Sequence, residues 1–256
     1  MGDCCLRGFR WNGKPAGRET TLAGMSCYTV GTNSSVALLL LHDLFGWTFP
    51  NTRLLSDHLA EEVGCTVYVP DLFVGTRFGG ERLPPDVLLD ESRWNELDLP
   101  GFLSRNTKAI RETDIFNCAK ALREEHKYSS IGAIGFCFGG WAVFRLGAKD
   151  VRLVDCISTA HPTFLEQKEI SDIGVPVQIM APEHDPQFTE ELKAFSNTVI
   201  PKLGVPYDYQ YFPFLTHGFA TRGNPNDKDE IAGMERAKNA AVLWFRQWLH
   251  KTSTAN

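Results

Sequence analysis

Long apolar runs are absent from this chain of 256 residues. Even the continuous apolar run at residues 36–41 is far shorter than the roughly 20 residues that a membrane-spanning helix needs. Residues 1–5 are similar to the start of a doubly acylated protein, but Leu6 stands where a myristoylation signal carries Ser or Thr. The sequence therefore predicts that the protein has no membrane partner.

Basic clusters are also lacking. The chain contains 26 Lys and Arg residues against 31 Asp and Glu residues, and its formal net charge is -5. Because nucleic-acid-binding proteins carry basic stripes or runs, this balance argues against a nucleic-acid partner. The length and the hydrophobic fraction of 43% suit a single α/β domain over residues 1–256, and we expect a monomer.

The cysteines lack the pattern of a disulfide framework. Their number is seven, which is odd, and the first residues lack the apolar core of a signal peptide. These features predict free thiols in the reducing cytosol. The paired spacings of zinc ligands are missing around His161, His184 and Asp185, and there is no glycine-rich phosphate loop. We therefore expect neither a metal nor another cofactor.

A strand, a tight turn and a helix are predicted at residues 131–142. Gly135, Cys137 and Gly139 have the spacing of a nucleophile elbow, with Cys in place of the usual Ser. The turn is so tight that the residues two before and two after the nucleophile must lack a Cβ atom. This geometry predicts an exposed sulfur beside the positive end of a helix and a free backbone N–H. The alternative is a buried structural cysteine after a strand.

The order of the later residues favours the catalytic interpretation. Residues 175–185 read as a strand and a loop that ends in Asp185, and residues 207–219 read as a strand and a loop that contains His217. An α/β-hydrolase supplies its nucleophile, acid and histidine in this order, each from a loop after a later strand. The alternative is that Asp185 caps a helix and His217 is a turn residue.

The remaining pattern is that of an α/β fold. Residues 36–41 read as a strand that is covered on both faces, and residues 42–47 as a loop at its carboxyl end, where ligands bind in such sheets. Residues 8–30 predict one or two antiparallel edge strands. Residues 75–101 are rich in Gly, Pro and charge and predict a lid over the pocket, with a solvated surface loop as the alternative.

Five short motifs carry a family resemblance. They lie in order at residues 42–46, 70–73 and 135–140, at Asp185 and at residues 217–219. The set resembles the dienelactone hydrolases, a branch of the α/β-hydrolases with a Cys-Asp-His triad. The resemblance implies a mostly parallel central sheet flanked by helices on both faces and a small-molecule ester or lactone substrate.

The resemblance also implies roles for single residues. Cys137 would be the nucleophile, His217 its general base and Asp185 the residue that orients the imidazole. The backbone N–H groups of Phe138 and, by resemblance, Leu44 would form the oxyanion hole.

Asp43 stands where family members carry an acid, usually Glu in bacterial enzymes, that helps to generate the thiolate. Because Asp is one methylene shorter than Glu, the alternative is that Asp43 only shapes the oxyanion loop.

Substrate contacts are less specific. Family members hold a substrate carboxylate with arginines, and Arg77 and Arg222 are the candidates here, although neither lies at the bacterial spacing. Solvated arginines are the alternative. We expect His161, Trp47 and Phe219 to line the pocket, with a plain core position as the alternative for Phe219.

These observations predict a hydrolase that cleaves an ester, lactone or thioester bond through a covalent acyl-enzyme. One alternative is an acyltransferase or cyclase, in which an acceptor other than water takes the acyl group. The other alternative is a non-catalytic protein that binds a small molecule.

Overall fold

A single eight-stranded sheet runs through the structure, which is a computed structural model that describes residues 3–73 and 83–250. Its strands are β1 (Arg18–Leu22), β2 (Met25–Val30), β3 (Val36–Leu41), β4 (Thr66–Pro70), β5 (Ser130–Phe136), β6 (Cys156–Ala160), β7 (Val177–His184) and β8 (Tyr207–Thr216). Their order in the sheet is β1-β2-β4-β3-β5-β6-β7-β8. Strand β2 pairs antiparallel with both β1 and β4, and the other neighbouring strands are parallel.

Strand β3 shows why the sheet is buried on both sides. All six of its residues are buried. Ala37, Leu39 and Leu41 join one apolar cluster, whereas the alternate residues of the strand join the other. Successive side chains of a strand point to opposite faces, so a continuous apolar run requires helices on both faces.

The helices meet this requirement. They are α1 (Pro50–Val63), α2 (Pro85–Leu88), α3 (Leu99–Arg105), α4 (Lys108–Glu124), α5 (Phe138–Leu146), α6 (Gln167–Ser171), α7 (Glu190–Val199), α8 (Phe219–Arg222) and α9 (Lys228–Leu249). Helices α1 and α9 contribute to the cluster on one face, and α4 and α5 to the cluster on the other. Within the two described ranges, none of the helices combines the length and apolar character needed to cross a bilayer.

The segment predicted as a lid is more ordered than a loop. Its described part contains α2, the 3-10 helix Glu91–Glu96 and the start of α3. Asp90 accepts a hydrogen bond from the backbone N–H of Ser92, and Asp98 accepts one from Gly101, so each carboxylate caps a helical turn. Residues 75–82 of the expected lid lie outside the described residues, and closure over the pocket stays a prediction.

The parallel strands bring their carboxyl ends to one edge of the sheet. Leu41 of β3 pairs with Gly135 of β5, and Ala160 of β6 pairs with Phe136 of β5 and with Met180 of β7. The loops that follow β3, β5, β6, β7 and β8 therefore start beside one another. Cys137, Asp185 and His217 directly follow β5, β7 and β8 at this edge.

Candidate active site

Cys137 occupies the turn between β5 and α5 in a strained backbone conformation, with φ 48° and ψ -110°. The two flanking glycines allow this turn. A Cβ atom on Gly139 would stand 2.1 Å from the carbonyl oxygen of Leu41, and a Cβ on Gly135 would stand 2.2 Å from the carbonyl oxygen of Gly139. Both separations are far inside van der Waals contact, so the elbow requires glycine at these two positions.

The sulfur of Cys137 is not exposed, and this part of the sequence interpretation was wrong. Cys137 has 0% of its surface exposed. Its Sγ atom lies 3.3 Å from Thr163 Oγ1 and within 4.8 Å of Cys5 Sγ. The elbow does aim the side chain beyond the sheet edge, but residues from the loop after β6 and from the N-terminal segment lie over it.

The imidazole of His217 and the carboxylate of Asp185 form a close pair. His217 Nδ1 lies 2.9 Å from Asp185 Oδ1 and 3.0 Å from Oδ2. The same carboxylate accepts hydrogen bonds of 2.8 and 3.1 Å from the backbone N–H groups of Gln187 and Phe188. These two donors fix the carboxylate, which in turn fixes the ring so that Nε2 points away from Asp185.

Nε2 of His217 faces three side chains. It lies 3.5 Å from Thr163 Oγ1 and 3.6 Å from Cys5 Sγ. It also lies within 4.8 Å of Cys137 Sγ. The structure thus brings Cys137, His217 and Asp185 together, with the hydroxyl of Thr163 in contact with both the thiol and the imidazole.

Burial lowers the pKa of His217, but the hydrogen bonds to Asp185 and Cys5 and the charge of Asp185 outweigh it and raise that pKa to about 9. The buried imidazole therefore binds a proton readily. A base of this kind can take the proton of a nearby thiol and hold it beside the thiolate that forms.

Sequence reasoning missed Thr163 and Cys5. Thr163 follows β6 at the carboxyl edge of the sheet, and its backbone N–H donates a 2.8 Å hydrogen bond to the carbonyl of Cys137. That position could have marked Thr163 as a candidate. Cys5 gave no such signal, because it lies 212 residues from His217 in a segment without hydrophobic periodicity.

The oxyanion-hole candidates lie on the two segments expected to carry them. Phe138 is the first residue of α5, where backbone N–H groups have no partner within the helix. Leu44 is buried in the loop that follows β3. Because β3 and β5 are paired up to Leu41 and Gly135, this loop starts next to the elbow.

The carboxylate of Asp43 is engaged within this loop. Oδ1 accepts a 2.9 Å hydrogen bond from the backbone N–H of Phe45. Oδ2 accepts a 2.9 Å hydrogen bond from Thr221 Oγ1 and lies 2.8 Å from Arg222 Nε. These contacts favour the loop-shaping role over activation of the thiol, and either role stays a prediction.

Arg222 is buried, with 2% of its surface exposed, and Asp43 balances its charge. Its Nη1 atom donates to the carbonyl oxygens of Cys5, at 2.9 Å, and Arg7. Arg222 therefore holds the N-terminal segment over the site, which leaves less of the guanidinium for a substrate carboxylate. Its proposed contact with substrate stays a prediction, and Arg77 lies outside the described residues.

A cavity of about 510 Å³ opens beside His217. Its described lining includes Phe9, Leu88, Glu91, Trp94, Phe219 and Arg222. The described part of the expected lid thus forms one wall, and the N-terminal segment forms another. Across the cavity, Arg7 Nε lies 3.3 Å from Glu91 Oε1. The volume is in the range of small-molecule sites.

Two of the residues expected to line the pocket, His161 and Trp47, are buried. His161 is fully buried, packs its ring 5.0 Å from that of His217, and burial holds its pKa well below the ordinary value. Trp47 belongs to the cluster that α1 and α9 cover, with the Arg53 guanidinium 4.9 Å from its ring centroid. Among the described residues that line the cavity, neither appears. Their contact with substrate stays a prediction.

Comparison with known proteins shows which family the sequence matches. The sequence profile of the dienelactone hydrolase family matches residues 25–249. Among similar proteins, the hydrolase pyvD of Aspergillus violaceofuscus is 32% identical over 254 residues, which cover 97% of each chain. The human carboxymethylenebutenolidase homolog is 27% identical over 264 residues, which cover 96% of each chain.

Solved structures show the same fold. The dienelactone hydrolase of Anabaena variabilis superimposes with a TM-score of 0.64 at 14% identity and covers 93% of this chain and 99% of its own. The expected mostly parallel sheet with helices on both faces is confirmed.

Proposed function

Because the chain belongs to the dienelactone hydrolase family, we propose that it hydrolyses a carboxylic ester or lactone through a thioester on Cys137. The observation that carries the proposal is the placement of Cys137 in a strained elbow at the sheet edge where the Asp185–His217 pair also lies. The same chemistry would also cleave a thioester substrate.

Acylation begins with transfer of the Cys137 proton to Nε2 of His217. The thiolate attacks the carbonyl carbon, and the backbone N–H groups of Phe138 and Leu44 stabilise the oxyanion. When the tetrahedral intermediate collapses, His217 donates its proton to the leaving oxygen. An ester then releases its alcohol, whereas a lactone opens and remains attached as a hydroxyacyl thioester.

In deacylation, water takes the place of the thiol as the nucleophile. His217 takes a proton from water, the hydroxide attacks the thioester, and the same two N–H groups hold the second oxyanion. Collapse breaks the carbon–sulfur bond, His217 returns its proton to the sulfur of Cys137, and the carboxylic acid product leaves. Asp185 keeps Nδ1 protonated throughout and stabilises the imidazolium that forms in each half of the reaction.

The thiol and the imidazole stand within 4.8 Å in this conformation, with Thr163 in contact with both. Catalytic hydrogen bonds are often long without substrate and shorten in the substrate complex. We propose that substrate enters from the cavity beside His217. The seven free cysteines support a reducing compartment as the place of action.

The test is hydrolysis of p-nitrophenyl acetate and a panel of lactones by the wild type, Cys137→Ala and the control Cys118→Ala. Cys118 is a buried core cysteine on α4, so its variant checks for a general loss of structure. We expect Cys137→Ala to lose turnover while its circular dichroism spectrum is unchanged. Retained turnover in a folded Cys137→Ala chain contradicts the proposal.

A further inference from the structure

Three potential metal ligands meet in the buried site. The Sγ atoms of Cys5 and Cys137 and the Nε2 atom of His217 all lie within 4.8 Å of one another, and all three residues are buried. Cys137 and His217 are explained by the hydrolytic reaction proposed above. Cys5 is not, although its sulfur lies only 3.6 Å from the nitrogen of the general base.

The separations suit one ion. A tetrahedral zinc ion holds sulfur at about 2.3 Å and histidine nitrogen at about 2.0–2.1 Å, so two of its ligand atoms stand about 3.5–3.8 Å apart. The 3.6 Å between Cys5 Sγ and His217 Nε2 already has this value. The other two distances join Cys137 Sγ to Cys5 Sγ and to the imidazole, and both are within 4.8 Å. A small movement of the Cys137 side chain would shorten them to about 3.5–3.8 Å.

The surroundings hold all three ligands in place. The Asp185 carboxylate accepts a hydrogen bond from Nδ1 of His217, which leaves Nε2 directed towards the two sulfurs. A carboxylate behind a ligating histidine is the usual outer shell of a zinc site. Arg222 Nη1 donates to the carbonyl oxygen of Cys5, which anchors the segment that delivers the third ligand.

We propose that Cys5, Cys137 and His217 form a binding site for a soft divalent cation of the zinc type, and that the bound ion reversibly inhibits hydrolysis. Two thiolates and an imidazole select zinc over hard cations such as magnesium and calcium. On binding, the two thiols and the protonated imidazole release their protons to solvent, and a water molecule completes an open tetrahedral site.

The inhibitory part rests on the proposed function, and the binding part does not. An ion bound here coordinates both the nucleophilic sulfur of Cys137 and the basic nitrogen of His217, so neither can take part in hydrolysis. Cys4 provides the approach, because it is partly exposed and its Sγ atom lies 3.8 Å from that of Cys5. A sulfur atom therefore reaches from the surface towards the buried ligands.

Metal binding is tested with cobalt(II) as the probe. Full-length protein is stripped with a chelator, kept in a phosphine reductant that prevents disulfide formation, and titrated with cobalt(II) and then zinc(II). We expect one cobalt ion per chain, with the visible absorption typical of tetrahedral cobalt(II) and a thiolate-to-cobalt charge-transfer band. We also expect zinc(II) to displace the cobalt.

The variants are Cys5→Ser, Cys5→Ala and, as a matched control, Cys65→Ser, which removes another buried free thiol away from the site. We expect Cys65→Ser to bind as the wild type does and both Cys5 variants to lose at least about 10-fold in affinity, since even outer-shell changes cost roughly 10- to 100-fold. A wild type without the charge-transfer band, or a folded Cys5 variant that binds as tightly as the wild type, overturns the proposal.

Inhibition is measured with p-nitrophenyl acetate, each variant being compared with its own rate without metal. We expect zinc to inhibit the wild type, a chelator to restore the rate, and Cys5→Ser to require at least about 10-fold more zinc. A chain that hydrolyses esters but binds no metal refutes this inference alone. A chain that binds metal through its thiolates but hydrolyses no ester refutes the proposed function, and the inhibitory part with it, but not the binding part.

Discussion

The hydroxyl of Thr163 links the two groups that must exchange a proton. It lies 3.3 Å from Cys137 Sγ and 3.5 Å from His217 Nε2. A hydroxyl can donate one hydrogen bond and accept another at the same time, so it can fix the position of the resting thiol relative to the imidazole. We regard Thr163 as a positioning residue, since it acts on the nucleophile and the base rather than on substrate.

Thr163→Val tests this role, because the two side chains have similar shapes and only the hydroxyl is lost. One hydrogen bond contributes about 0.5–1.5 kcal/mol, so we expect kcat to fall roughly 2- to 10-fold with little change in KM. Thr163→Ser keeps a hydroxyl and should recover most of the rate. Equal rates for the Val and Ser variants would show that the hydroxyl has no part in catalysis.

Asp185→Asn tests the orientation of the base. Asn cannot stabilise the imidazolium, and its amide can turn the ring to the wrong tautomer, so we expect kcat for ester hydrolysis to fall roughly 10²- to 10⁴-fold. The control is Asp150→Asn, which alters an exposed acid outside the site. A rate for Asp185→Asn that matches the control would exclude Asp185 from the triad.

The elbow is the element on which the site depends, and its strain comes from Cys137 rather than from a glycine. The N-terminal turn of α5 and the end of β3 approach so closely that Gly139 has no space for a side chain. Strain of this kind persists only where surrounding packing enforces it. Here the buried strands β3 and β5 provide that packing.

Gly139→Ala should displace the elbow from β3. An added Cβ atom would stand 2.1 Å from the Leu41 carbonyl oxygen, so backbone must move. We expect the free energy of unfolding, measured with urea, to fall by about 1–3 kcal/mol. We also expect kcat/KM to fall at least about 10²-fold, since a shift near 1 Å has this effect on reacting groups.

Gly204→Ala is the control for this prediction. Gly204 has φ 73° with open space around it, so its substitution strains the backbone away from the site. We expect the Gly204 variant to lose stability but to keep its activity. Unchanged activity in Gly139→Ala would show that the elbow tolerates a side chain at this position.

At the scale of the whole molecule, a buried ion pair joins three distant segments. Asp43 follows β3, Arg222 ends α8, and Arg222 also binds the carbonyl oxygen of Cys5 near the N-terminus. Both charged side chains are 1% exposed. A buried pair of this kind contributes more to fixing an arrangement than to net stability.

Arg222→Met should leave the Asp43 carboxylate buried without its cation. We expect a loss of about 3–5 kcal/mol in the free energy of unfolding, measured with urea. Adding Asp43→Asn removes the unpaired charge and should restore part of the loss. A double variant that is less stable than Arg222→Met alone would contradict this account of the pair.

The sequence was informative where local pattern determines structure. The apolar run at residues 36–41 predicted β3 with its observed bounds, and the elbow and the order of Asp185 and His217 predicted residues that the structure brings together. Strand β8 runs on to Thr216 despite Pro213, which is tolerated because β8 is an edge strand.

Contacts between remote segments could not be predicted in this way. The burial of Cys137, the approach of Cys5 and the Asp43–Arg222 pair all depend on how loops fold over the sheet edge. No periodicity marks these loops, and the partners are far apart in sequence. The sequence therefore predicted the catalytic candidates but not the surroundings that cover them.

The most direct test of the central claim is to isolate the acyl-enzyme. Protein mixed with excess p-nitrophenyl acetate is quenched in acid during turnover, and intact mass spectrometry and peptide mapping locate the acyl group. We expect one acetyl group per chain, on the peptide that contains Cys137, and none in Cys137→Ala. An active enzyme that carries the acetyl group on a residue other than Cys137 would contradict the claim.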